Sequence, residues 1–97
     1  MSQETTTEEL SQLLTNNNIQ FKSYHAQQYS LCIGNDMNEI GTKTIILILN
    51  EQNNWDVYYK IWNDIIDDHV VDHEIISHND IMYRYDTYIK KFNNFMN

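Results

Sequence analysis

The spacing of apolar residues changes three times along the chain. Thr6 followed by Glu9 has the form of a capping box, and Leu10, Leu13 and Leu14 then recur at helical spacing. These predict a helix over residues 6–16, with a frayed Thr-rich tip before it and the run Asn16, Asn17, Asn18 closing it, since Asn tolerates the left-handed conformation. From Ile19 the period becomes two. Ile19, Phe21 and Ser23 alternate with polar neighbours, and Tyr29, Leu31 and Ile33 repeat the pattern, which predicts an antiparallel pair joined by a short turn. "GNDMNEIG" at 34–41 reads as a loop, and "TIILILN" at 44–50 reads as a central strand buried on both faces.

The segment "WDVYYKIWNDII" fits two templates. As a strand it puts Trp55, Val57, Tyr59 and Ile61 on one face; as a helix it puts Trp55, Tyr58, Tyr59, Trp62, Ile65 and Ile66 on one stripe. Its aromatic and β-branched content, and the turn-like "NEQNN" before it, favour a β-hairpin. Further on, apolar pairs at 65/66, 70/71 and 75/76 recur every five residues, a spacing that matches neither period and predicts a break. The chain then ends in a long helix capped by Ser77, Asn79 or Asp80, with Ile81, Tyr85, Tyr88, Ile89, Phe92 and Met96 on one face. The expected fold is α+β in one domain spanning residues 1–97. It has a four-stranded antiparallel meander, N- and C-terminal helices packed on one face, and a short acidic element before the last helix.

Composition narrows the function classes. The chain has 97 residues with 41% apolar residues, enough for one core. No run approaches the roughly 18–20 apolar residues that span a bilayer, and the polar, acidic start "MSQETTTEEL" is not expected to be a secretory signal. The single cysteine, Cys32, fits a reducing, cytoplasmic compartment. Thirteen Asn and thirteen Ile against one Ala suggest AT-rich codons, as in a low-GC bacterium or one of its phages or plasmids. The net charge of −8 is unevenly spread: residues 51–80 hold eight acids against one base, Lys60, and so carry −7 of it. Such a surface repels polyanions, which disfavours direct binding of nucleic acid or an acidic membrane.

Catalytic and metal chemistry find little support. His69 and His73 share a face as either helix or strand, with Asp72 adjacent, so they form the strongest metal candidate. Yet Val70 and Val71 stand where a general-base Glu would follow the first His of a zinc-protease motif, and no cysteine is near. The loop from Asp36 to Gly41 fails as a calcium site because Ile40 and Leu47 occupy ligand positions. Cys32 lies between Leu31 and Ile33 with no nucleophile elbow around it, which points to a packed thiol. Two glycines cannot build a phosphate or dinucleotide loop, and no carboxylate pair is placed in a cleft. No enzymatic activity and no cofactor are expected.

The acids themselves remain. If residues 64–74 are helical, Asp64, Asp67, Asp68 and Asp72 form one ridge about 12 Å long, comparable with a run of DNA phosphates about 3.4 Å apart. Asn63 as an N-cap, with Asp64 and Asp67 in the first turn, accounts for part of the cluster as a solvated face, but not for Asp72, Glu74 and Asp80. The expected function is that of a small acidic inhibitor or adaptor, a DNA mimic in kind, that docks on a protein partner with a basic, nucleic-acid-binding surface. Asp64, Asp67, Asp68, Asp72, Glu74 and Trp62 would form its partner-binding face. In size, charge and composition alone the chain resembles the small acidic inhibitors that phages and mobile elements make against host nucleases. That resemblance carries over no residue, and implies action in the host cytoplasm. The alternatives are a structural or assembly subunit, for which a homodimer is the natural form, and a metal-binding protein using His69 and His73.

Overall fold

The computed structural model describes residues 2–24, 29–34, 42–63 and 65–97. Helix α1 (Gln3–Asn16) precedes five strands, β1 (Phe21–Tyr24), β2 (Ser30–Gly34), β3 (Lys43–Leu49), β4 (Asn54–Asn63) and β5 (Asp68–Ser77), and two helices come after them, α2 (His78–Tyr83) and α3 (Tyr85–Met96). The α+β class and the helices on one face are as expected. The sheet has five strands rather than four, in the order β1-β2-β3-β4-β5, each antiparallel to its neighbour.

The helix boundaries are set by hydrogen bonds that the spacing alone did not reveal. Ser2, not Thr6, caps α1: its Oγ accepts from Thr5 N–H at 3.1 Å. Thr5 is exposed, but Thr6 and Thr7 are packed rather than frayed. Thr6 is fully buried and donates to Asn53 Oδ1 at 3.0 Å, while Thr7 donates to the Gln3 carbonyl at 2.7 Å. The asparagine run closes the helix as expected: Asn18 is left-handed (φ 60°) and Ile19 N–H reaches back to the Leu14 carbonyl at 3.0 Å, a Schellman closure. At the other end the single long helix is two. Ser77 caps α2 by accepting from Asp80 N–H, and the backbone departs from helical geometry at Arg84 (φ −106°, ψ 40°) before α3 begins.

Between the helices, the register places Leu31, Leu47, Val57 and Glu74 in one row, and Ile33, Ile45, Tyr59 and Asp72 in the next. The apolar members of these rows meet Leu10 and Leu14 of α1 and Ile81, Ile89 and Phe92 of α2 and α3 in one core. Trp55, Leu47 and Ile45 are fully buried there, and each such side chain contributes roughly 1.5–3 kcal/mol by leaving water. "TIILILN" is central, as expected, but its two faces differ: Ile45, Leu47 and Leu49 are buried against helices, whereas Ile46 and Ile48 on the opposite face are half-buried. Gly34 ends β2 with φ 92°, and a Cβ there would lie 2.7 Å from the Lys43 carbonyl oxygen, so the close approach of β2 and β3 requires glycine. The rest of the 34–41 loop lies outside the described residues.

Candidate docking surface on the β4–β5 hairpin

The segment 55–63 resolves as a strand, with Trp55, Val57 and Tyr59 buried on one side, so the hairpin reading of its two templates holds. The residues beyond Asn63 do not form the expected helical ridge. Residues 68–77 form β5, and Asn63 pairs with Asp68 across the turn. Asn63 uses its side chain to turn the chain rather than to cap a helix: its Oδ1 accepts from Ile65 N–H at 2.9 Å. Asp67 completes the turn in the left-handed region (φ 52°), a conformation Asp tolerates better than most residues. With Asp67 in the turn and Asp68 and Asp72 on β5, these three do not form the expected helical ridge or its match to phosphate spacing; Asp64 lies outside the described residues. The physical reason is local. Val70, Val71, Ile75 and Ile76 favour an extended chain, and a helix would stack Asp64, Asp68 and Asp72 at i, i+4 and i+8, where like charges repel.

As a strand the acidic segment sorts differently. Asp68, Val70, Asp72, Glu74 and Ile76 point to the helix side, while His69, Val71, His73 and Ile75 point to the opposite face of the sheet. Glu74 is the most engaged acid: its Oε2 accepts from Tyr59 Oη at 2.6 Å and from Lys91 Nζ, whose ammonium also lies 5.3 Å from the Tyr59 ring centroid. Burial, reinforced by the bond to the Glu74 carboxylate, pushes the Tyr59 phenol far above its ordinary range. Tyr59, Asp72, His73, Glu74, Lys91 and Phe95 line a hollow of about 320 Å³ beside the strand. Asp67, Asp68 and Asp72 are exposed.

The hairpin also exposes apolar groups. Ile65 is 94% exposed, Ile66 57%, Val70 51%, Val71 47% and Ile75 61%, all in the turn or on β5. These five are all but two of the exposed large hydrophobic side chains among the described residues. Their signal was the five-residue recurrence of apolar pairs: an edge strand exposed on both faces has no buried side to impose a period. Trp62, expected in the interface, is instead buried at 9% exposure, with the His69 ring edge-on at 5.1 Å. His73 stacks on Tyr58 at 4.5 Å and approaches Asp56 Oδ1 at 3.3 Å. The two histidines share a face, as either reading required, but each is held by its own partner on β4. Among the described residues no three His, Cys, Asp or Glu side chains converge as a metal site would need.

Two polar clusters were not singled out from the sequence, although only one of them joins residues far apart in the chain. His78 is buried beneath α1, where Trp55 Nε1–H donates to its Nδ1 at 3.1 Å and Glu9 Oε1 lies 3.1 Å from its Nε2. An indole can only donate, so Nδ1 accepts and the proton sits on Nε2, directed at the Glu9 carboxylate. At the α2–α3 break, Asp80 accepts from Tyr88 Oη and from Arg84 Nε at 2.8 Å. The Tyr88 hydroxyl, then the Arg84 guanidinium, hold the Asp80 carboxyl below the usual range, and the same carboxylate pushes Tyr88 up to about 12. In both clusters the polar groups satisfy one another as ties between elements, the first buried and the second at the surface. No helix among the described residues is long and apolar enough to cross a membrane. Comparison with protein-family models, with curated proteins and with solved structures finds no match to this chain.

Proposed function

We propose that the chain is a non-enzymatic binding protein, an inhibitor or adaptor, that applies its β4–β5 hairpin to a basic surface of another protein, of the kind that contacts nucleic acid. The observation that carries this reading is the interleaving of five exposed aliphatic side chains with Asp67, Asp68 and Asp72 on one hairpin. Apolar side chains of this kind gain free energy only when covered, and acids among them select a cationic cover and speed its approach. A phage or mobile-element origin, with action in the host cytoplasm, fits the AT-rich residue usage.

The test is capture of partners from host lysate, identified by mass spectrometry, with the wild-type chain and with a variant in which Asp64, Asp67, Asp68 and Asp72 become Asn or Ser. The variant is expected to keep its fold, to lose the partner and to lose the salt dependence of binding. Retained affinity at low ionic strength would sink the proposal. A second variant, Ile65→Ser with Ile66→Ser, is expected to weaken binding with the salt dependence unchanged.

A further inference from the structure

β5 is the last strand of the sheet, and no described strand lies beyond it. Its backbone polarity can be assigned. His78 N–H donates to the Asn53 carbonyl at 3.1 Å, and antiparallel bonding alternates, so the even-numbered residues of β5 bond inward to β4. The N–H and C=O groups of Val71, His73 and Ile75 therefore point outward in the plane of the sheet. The side chains of the same residues point to the face opposite the helices, while Asp68, Asp72 and Glu74 point to the helix side.

We propose that β5 receives an extended segment of the partner as a sixth strand, and that this segment alternates Lys or Arg with apolar residues. The inference rests on the docking role proposed above and specifies its geometry. Facing residues on paired strands share a side of the sheet, so the partner's basic side chains would lie along Asp68, Asp72 and Glu74 and its apolar ones along Val71 and Ile75. One member of the acidic row already holds an ammonium, since Lys91 of α3 sits on Glu74. The same row opposes a second copy of this chain. In a two-fold antiparallel pairing of β5 with itself, centring on Asp72 sets Asp72 against Asp72, centring on Val71 sets Asp68 against Glu74, and centring on His73 sets Asp72 against Glu74. Each central register places carboxylates face to face, whereas a basic strand satisfies them.

The test is a fluorescence-anisotropy titration of the full chain with a synthetic peptide of the length of β5 that alternates lysine and valine. Binding is expected, with affinity at least tenfold weaker when alternate peptide amides are N-methylated in the set facing β5, when lysine is replaced by glutamate, or when the same residues are arranged in two blocks. In the protein, Val71→Pro removes an outward N–H and is expected to weaken the peptide by a similar factor, with circular dichroism confirming that the fold survives. Failure of the alternating peptide to bind overturns strand addition, as does equal affinity for both N-methylated sets or for the block peptide. If glutamate abolishes binding while N-methylation of either set does not, docking by charge stands and the sixth strand is wrong. A stable dimer by light scattering that excludes the peptide would make a second copy the occupant and overturn the proposal.

Discussion

His78 illustrates how one side chain can close a core. Its ring takes a proton-poor role toward Trp55 and a donor role toward Glu9, so β4, α1 and α2 share one buried polar junction. Replacing it by Ala leaves a buried indole N–H without its acceptor. His78→Ala is therefore expected to lower unfolding free energy by roughly 2–3 kcal/mol, measured by urea titration, whereas Ile65→Ser, on a fully solvated turn, should stay within about 0.5 kcal/mol. Asp80 sets a pH limit instead. Its folded carboxyl titrates below the ordinary range, so its contribution is complete above about pH 4 and is lost as pH falls through the depressed value. Asp80→Asn should flatten the acid limb of a plot of melting temperature against pH. Tyr88→Phe should do so in part and should remove the phenol that otherwise ionises near 12 in an alkaline absorbance titration. The Asp80 junction was within reach of the sequence, since Asp80, Arg84 and Tyr88 follow helical spacing, but the His78 junction was not. Glu9 and His78 are 69 residues apart, and only the folded chain brings them within 3.1 Å.

The elements were legible where one face is buried and obscure where none is. Leu31 and Ile33, and Trp55, Val57 and Tyr59, announce a two-residue period because the helices cover that side, whereas the run at 45–49 is apolar throughout and hides the difference between its two faces. β5 keeps only Ile76 buried, so its alternation of Asp72 and Glu74 with His73 and Ile75 carries no apolar rhythm, and charge alone drew attention to it. The Thr6–Glu9 box misled for the opposite reason: both residues are occupied by distant partners, Asn53 and His78, and Ser2 does the capping. Alternation of the β4–β5 ladder makes a sharp comparison. Asp72→Pro removes an inward N–H and should cost at least ~2 kcal/mol, whereas Val71→Pro removes an outward one and should cost under ~1 kcal/mol, both read from thermal or urea unfolding.

Across the molecule, charge and topology are arranged separately. The three helices bury the apolar face of the sheet, while most of the negative charge lies in residues 51–80 toward one edge of it. Removing acids from that edge should leave stability unchanged or slightly raised, since like charges repel there, and a rise in urea midpoint for the Asp67, Asp68 and Asp72 variant would show that they are not retained for folding. The meander itself joins only sequence neighbours, each strand pairing with the next. α1 ties distant parts of the chain, since its side-chain bonds run from Thr6 to Asn53 and from Glu9 to His78, over 47 and 69 residues. α1 precedes β5 and α2 in the chain and has nowhere to make these ties until both are in place, so its contacts, which close long loops, form late in folding. Thr6→Val and Glu9→Gln should accordingly speed unfolding while leaving the folding rate almost unchanged in stopped-flow chevrons. During synthesis, α1 would keep its apolar stripe uncovered until β5 and α2 have emerged.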